Sequence, residues 1–166
     1  MRRPSPRRKK AHGFHCPTGV QAGAAYRLAA MTIRSQTETA GAFRQVIHID
    51  QGGHTLFADS LKTGGGGETA PGAHDLFDAS LAACKALTSH WYAKQRNFPL
   101  ERVTAVVERD DSKERDGVYG LTVTLEFFGP LTDEQKARLL DVAGRCPVHK
   151  LMTSVDVQVT TLAKAS

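Results

Sequence analysis

The sequence predicts an α+β domain. Three observations carry that expectation. Stretches that alternate apolar and polar residues stand on both sides of one long stretch with helical period. The long stretch, from about Ala73 to Arg96, is too long for a strand and is bounded by Pro71-Gly72 and Asn97-Phe98-Pro99. The order reads strands, long helix, strands, helices, strand, which is not the regular alternation of a parallel sheet.

In chain order, residues 1–30 come first and are basic and aperiodic. They hold Arg2, Arg3, Arg7, Arg8, Lys9, Lys10 and Arg27 and no acid. Such a composition buries too little to offset ordering, so disorder is expected there. Three origins stay open: a start assigned too far upstream with Met31 the true start, a basic flexible tail, or an Arg-rich targeting peptide. The folded domain is expected over residues 31–166.

Ala42 to Asp50 alternates roughly and reads as a half-buried strand. Gln51-Gly52-Gly53 is a turn, and His54 to Asp59 returns as the second strand of an antiparallel hairpin. His48 and His54 read as surface residues of that hairpin. Gly64 to Gly67 reads as a flexible loop; it lacks the Lys-Ser/Thr that follows the glycines of a phosphate loop. In the long helix Leu76, Phe77, Leu81, Cys84, Leu87 and Trp91 recur at three- and four-residue steps, and Ala79, Ala82, Ala83 and Ala86 add helix propensity. Apolar residues on more than one face are more than a monomer of this size covers, which predicts a homodimer.

Val103 to Glu108 and Leu121 to Phe127 alternate again, and the charged stretch ending in Asp116-Gly117 joins them as a hairpin. Thr132-Asp133-Glu134-Gln135 is a capping box, opening a helix to about Gly144. Cys146-Pro147 opens a short helix with proline at its first position. Val155 to Val159 alternates and is expected to close the chain as a strand.

Composition excludes several function classes. At 40% apolar and 23% charged residues, the chain is of ordinary soluble type. No apolar run reaches the roughly 18 residues of a membrane span. The seven cations of residues 1–30 exceed the whole chain's +5, leaving the remainder at −2. A nucleic-acid-binding face is therefore not expected on the domain. Three cysteines, Cys16, Cys84 and Cys146, do not make a secreted disulfide scaffold; reduced thiols in the cytoplasm fit better.

Cys146, in Arg145-Cys146-Pro147-Val148-His149-Lys150, stands at a helix N-cap, where free N–H groups and the helix dipole favour a thiolate. Arg145 and His149 are possible helpers. The plainer reading is a small buried residue before a proline-started helix. Cys84 lies mid-helix, where cysteine is also a good small core residue, and Lys85 points about 100° away from it. Cys84, Cys146 and His149 lack the paired short spacing of structural zinc ligands, so no metal is expected. Trp91 and Tyr92 read as packing or interface residues.

Together the two cysteine segments resemble the OsmC/Ohr family. Pro71 to Cys84 is similar to that family's helix opening, where a proline and an acid precede an Ala-rich helix ending in Ala-Cys. Arg145 to Lys150 resembles its second cysteine motif, and His54 to Asp59 with the Gly-rich loop fits its general pattern. The resemblance covers about residues 36–163. It implies an OsmC-like fold: an intertwined homodimer with antiparallel sheets around long central helices. It implies a thiol-dependent peroxidase acting on organic hydroperoxides or hydrogen peroxide in oxidative defence. Cys84 would be the peroxidatic thiol and Cys146 the resolving thiol, with an external dithiol as reductant and no cofactor. The alternative it leaves is a dimer of the same fold that binds a small apolar ligand or senses redox state.

The sequence departs from the efficient peroxidases of that family, which orient the first cysteine with an Arg and a Glu. Ten positions before Cys84, at the place of the Glu, stands His74; Asp75 matches an acid of a broader branch. Nine residues of helix rise about 13.5 Å, so Asp75 would reach a Cys84 only across a dimer interface. Arg44 and Arg34 are candidates for the Arg by position alone.

Overall fold

The computed structural model describes residues 31–164. The readings of residues 1–30, and Cys16 with them, lie outside the described residues. An antiparallel sheet is built from β1 (Ile33–Thr37), β2 (Gln45–Ile49) and β3 (His54–Ala58) in that order. The predicted hairpin pairs Ile47 with Leu56 and Ile49 with His54. Its turn needs two glycines, Gly52 and Gly53, with φ of 82° and 66°. β1 was not predicted: Ile33-Arg34-Ser35-Gln36-Thr37 holds one apolar residue, and its strand state comes from pairing with β2.

The loop after β3 is tied rather than slack. The Asp59 carboxylate accepts from the N–H groups of Ser60, Gly67 and Thr69 and from the Thr69 hydroxyl at 2.7–3.2 Å. These bonds hold Asp59 down at a pKa of about 2, the Thr69 N–H leading. The glycine run expected to be a flexible loop is thus wrapped around one buried carboxylate. A Cβ on Gly66 would stand 2.0 Å from the Ser60 carbonyl oxygen, so this approach admits no side chain.

α1 (Ala73–Arg96) has the predicted limits. Asp75 accepts the Gly72 N–H at 2.8 Å, satisfying one of the donors left free at the helix start. Asn97, with φ 53°, closes the other end in the left-handed conformation. β4 (Arg102–Asp110) and β5 (Gly120–Phe128) form the predicted hairpin, with Val107 opposite Val123. α2 (Asp133–Ala143) opens on the predicted box: Thr132 Oγ1 accepts the Gln135 N–H at 3.2 Å and Gln135 Oε1 accepts the Thr132 N–H at 3.0 Å. α3 (Pro147–Ser154) follows after a tight turn. α1 packs against β4, β5, α2 and α3.

The closing strand expected at Val155 to Val159 is corrected: the segment is not assigned to any sheet. Its alternation is that of a strand, but pairing needs an edge, and none among the described residues of this chain reaches it. Val157 and Val159 remain 62% and 81% exposed.

Burial on α1 departs from the apolar pattern. The buried positions are Asp78, Leu81, Lys85, Ser89 and Ala93, whereas Leu87 and Trp91 are 69% and 62% exposed. The described buried hydrophobic core is Leu81, Ala93, Leu139, Ala143 and Cys146, and no residue of β1 or β2 is buried. No helix among the described residues is long and apolar enough to cross a membrane.

Candidate functional site

α3 brings the two cysteines to one place. Cys146 is its N-cap, and the His149 N–H donates to the Cys146 sulfur at 3.4 Å. The next free donor in that turn, the Val148 N–H, points instead at Cys84 Sγ on α1, 3.5 Å away. The positive end of α3 therefore addresses both sulfurs. The two thiols are free and neighbour one another at this helix start. Cys84 is half-buried and Cys146 fully buried.

The expectation that the N-cap lowers the pKa of Cys146 is corrected. Burial pushes the thiol up, and the neighbouring Cys84 adds to that; the His149 N–H and the Lys85 charge pull down without overcoming it. A charge taken out of water loses more than one N–H restores.

The suggested helpers divide. Arg145 turns onto α2, where it pairs with Asp141, and does not face Cys146. His149 supplies its backbone N–H, while its side chain lines a cleft of about 600 Å³. Phe77, Leu81, Leu121 and Met152 give that cleft an apolar lining, with His74, Glu114 and Tyr119 as polar groups. Leu81 lies one helical turn before Cys84, so the cleft reaches the neighbourhood of the thiols without either sulfur lining it.

His74 pairs with Glu114 at 2.9 Å beside the cleft. Asp75 is occupied within its own chain. Arg109 of β4 bonds Asp75 at 2.7 Å and Asp78 at 2.6 Å, and the Tyr119 hydroxyl donates to Asp78 at 3.0 Å. Arg109 holds the Asp75 carboxyl below its usual range. This cluster around the buried Asp78, which sequence reading missed, fastens the β4–β5 hairpin to the first turns of α1 and so shapes the cleft. Arg44 bonds Thr69 and pairs with Glu38, and Arg34 lies on β1; neither bonds Cys84 in its own chain. Lys85, read as pointing away from Cys84, is buried and donates to the Ala143 carbonyl at 3.1 Å. Among the described residues no three His, Cys, Asp or Glu side chains converge as a metal site.

Fold and site define a class: an α+β domain in which a long helix and a short proline-started helix bring two thiols together. The chain belongs to the OsmC family. The family profile, described as OsmC-like protein, matches residues 64–161, more than half of the chain. A putative osmotic stress induced and detoxification response protein from Psychrobacter arcticus is similar, with 20% identity, a TM-score of 0.64, and coverage of 78% of this chain and 93% of that one. An organic hydroperoxide resistance protein OsmC from Legionella pneumophila shares 20% identity at a TM-score of 0.56, over 76% and 91% of the two chains. A putative organic hydroperoxide resistance protein from Vibrio cholerae, with captopril in one active site, shares 23% at 0.53, over 78% and 89%. These likenesses establish the fold. No curated protein matches the sequence.

Proposed function

We propose that this protein is a thiol-dependent peroxidase of organic hydroperoxides, with Cys84 as the peroxidatic and Cys146 as the resolving residue. The observation that carries the reading is the juxtaposition of two free thiols, each facing an N–H of the same helix start. Cys84 is the more exposed sulfur, so it meets the substrate first. Its thiolate attacks one oxygen of the peroxide and the O–O bond breaks. The departing alkoxide takes a proton and leaves as alcohol, and Cys84 is left as a sulfenic acid. Cys146 then attacks that sulfur, water leaves, and a disulfide forms. An external dithiol returns both thiols. The apolar lining of the cleft favours hydroperoxides with a hydrocarbon tail over hydrogen peroxide. Hydroperoxide resistance is also what two of the similar structures are named for.

The same reading makes the protein a cytoplasmic homodimer in oxidative defence. The support for the dimer is the uncovered apolar surface: Leu87 and Trp91 on α1, Phe57 on β3, and the unpaired valines after α3. A second reading, binding of a small apolar ligand with slow or sensory thiols, is favoured by the raised pKa of Cys146 and by the lack of an Arg at Cys84 among the described residues. One experiment separates the two. Thiols are titrated anaerobically before and after one equivalent of cumene hydroperoxide, and the products are mapped by mass. Loss of two thiols with a Cys84–Cys146 bond is expected; an unchanged titre with cumene hydroperoxide refutes the peroxidase.

A further inference from the structure

Lys85 follows Cys84 in the chain and is only 6% exposed. Its Nζ donates to the carbonyl of Ala143, the last residue of α2, at 3.1 Å. The same carbonyl accepts the Cys146 N–H at 3.3 Å. One oxygen thus ties the buried ammonium to the backbone of the second thiol. Among the described residues no carboxylate lies within ion-pairing distance of Lys85, and the one hydrogen bond of its ammonium is to that neutral carbonyl. A lysine has three donors, and a buried charge left with one neutral acceptor is costly. An anion formed on Cys146 would answer that charge.

We propose that Lys85 is a positioning residue that holds the Cys146 turn against α1 and provides the cation beside which Cys146 departs as a thiolate when the disulfide is reduced. This inference rests on the thiol-pair reading above. In the step concerned, a thiolate of the external dithiol attacks the Cys84 sulfur. The Cys84–Cys146 bond breaks, its electron pair leaves on Cys146, and a mixed disulfide forms at Cys84. The reductant's second thiolate attacks its own sulfur in that bond and releases Cys84. The reductant ends as a disulfide, two electrons have passed to the pair, and the reductant's protons reach the cysteines through water. A more stable leaving thiolate makes the first exchange faster. The groups that act on the Cys146 sulfur are Cys84 and the charge of Lys85 from α1 and the His149 N–H from α3; Lys85, held one shared carbonyl away, acts in the direction the step requires.

The test uses the full chain with Cys16→Ser, so that the pair alone reports. The disulfide is formed with diamide, which keeps peroxide out, and reduced with dithiothreitol between about pH 6 and 9. Lys85→Met is expected to slow reduction about fivefold. In a Cys84→Ser background it should raise the thiolate titration of Cys146, read by ultraviolet absorbance, by about one pH unit. Lys85→Gln keeps an amide donor without the charge; it isolates the electrostatic part and stands in should the Met variant fail to fold. Lys85→Arg should keep the rate within about threefold of wild type. Wild-type rates and midpoints in the Met and Gln variants would overturn the proposal. Failure of diamide to join Cys84 to Cys146 in the wild type overturns the pairing and this role with it. A pair that forms with diamide but ignores cumene hydroperoxide refutes only the peroxidase, and the Lys85 comparison still decides its own question.

Discussion

The backbone N–H of Val148 points at the sulfur of Cys84, 3.5 Å away, across 64 residues of chain. The contact exists because α1 and α3 pack together, and it makes the start of α3 serve two sulfurs instead of the one it caps. An unequal pair results, with Cys84 half-exposed and Cys146 sealed.

Unequal exposure predicts unequal mutants. Cys84→Ser is expected to abolish consumption of cumene hydroperoxide. Cys146→Ser should still react once and then stall as a sulfenic acid that overoxidises. Cys16→Ser should change nothing. Stopped-flow consumption with mass analysis of the product checks all three, and retention of the first turnover by Cys84→Ser would reverse the assignment.

The raised pKa of Cys146 predicts its reactivity with pH. Burial and Cys84 push the thiol above the ordinary cysteine value of 9.0. It should therefore be neutral at pH 7 and become nucleophilic only on the alkaline side. Alkylation of Cys146 by iodoacetamide, followed by peptide mass, should rise at higher pH than for a free thiol. Cys84→Ser removes one cause of the shift and should move the profile down.

Asp59 predicts an acid-sensitive loop. Its folded pKa of about 2 lies below the ordinary 3.8. A depressed carboxylate contributes stability that is complete above the unfolded pKa and is lost as pH falls through the folded one. Asp59→Asn should lower the melting temperature by several degrees at pH 7, and the gap to wild type should close between about pH 4 and 2. Scanning calorimetry across that range reads it; a gap that does not change with pH would show that the charge contributes nothing.

Breaking the cluster under the cleft should cost more than a surface change. Asp78 is buried and takes bonds from Arg109 and Tyr119, so Asp78→Ala leaves a guanidinium short of a partner. A drop of roughly 5–10 °C in melting temperature is expected, against little for Lys113→Ala. Because Tyr119 lines the cleft, KM for cumene hydroperoxide should rise as well.

Uncovered apolar surface predicts self-association. Wild type is expected to be a dimer whose melting depends on concentration, and Leu87→Arg with Trp91→Arg, which places two charges on the exposed face of α1, should yield monomer or loss of fold. Light scattering at micromolar protein checks this, and a stable wild-type monomer would count against the assembly.

Local chemistry was legible from the residues alone. The limits of α1, the Thr132–Gln135 box, the Gly52-Gly53 hairpin and the N-cap place of Cys146 all depend on neighbours within a few positions, where period, capping and turn preference act. What depended on packing was not. β1 is a strand only because β2 lies beside it, and Val155 to Val159 lacks a partner strand among the described residues despite its strand pattern. The Val148 donor to Cys84, the sealing of Cys146 that reverses its pKa shift, the burial of Lys85 and the Asp78–Arg109 bond join residues 31 to 64 positions apart or depend on solvent exclusion. Periodicity reports which face of a helix is apolar; which face is covered, and by which charges, is decided only when the helices and the hairpin meet.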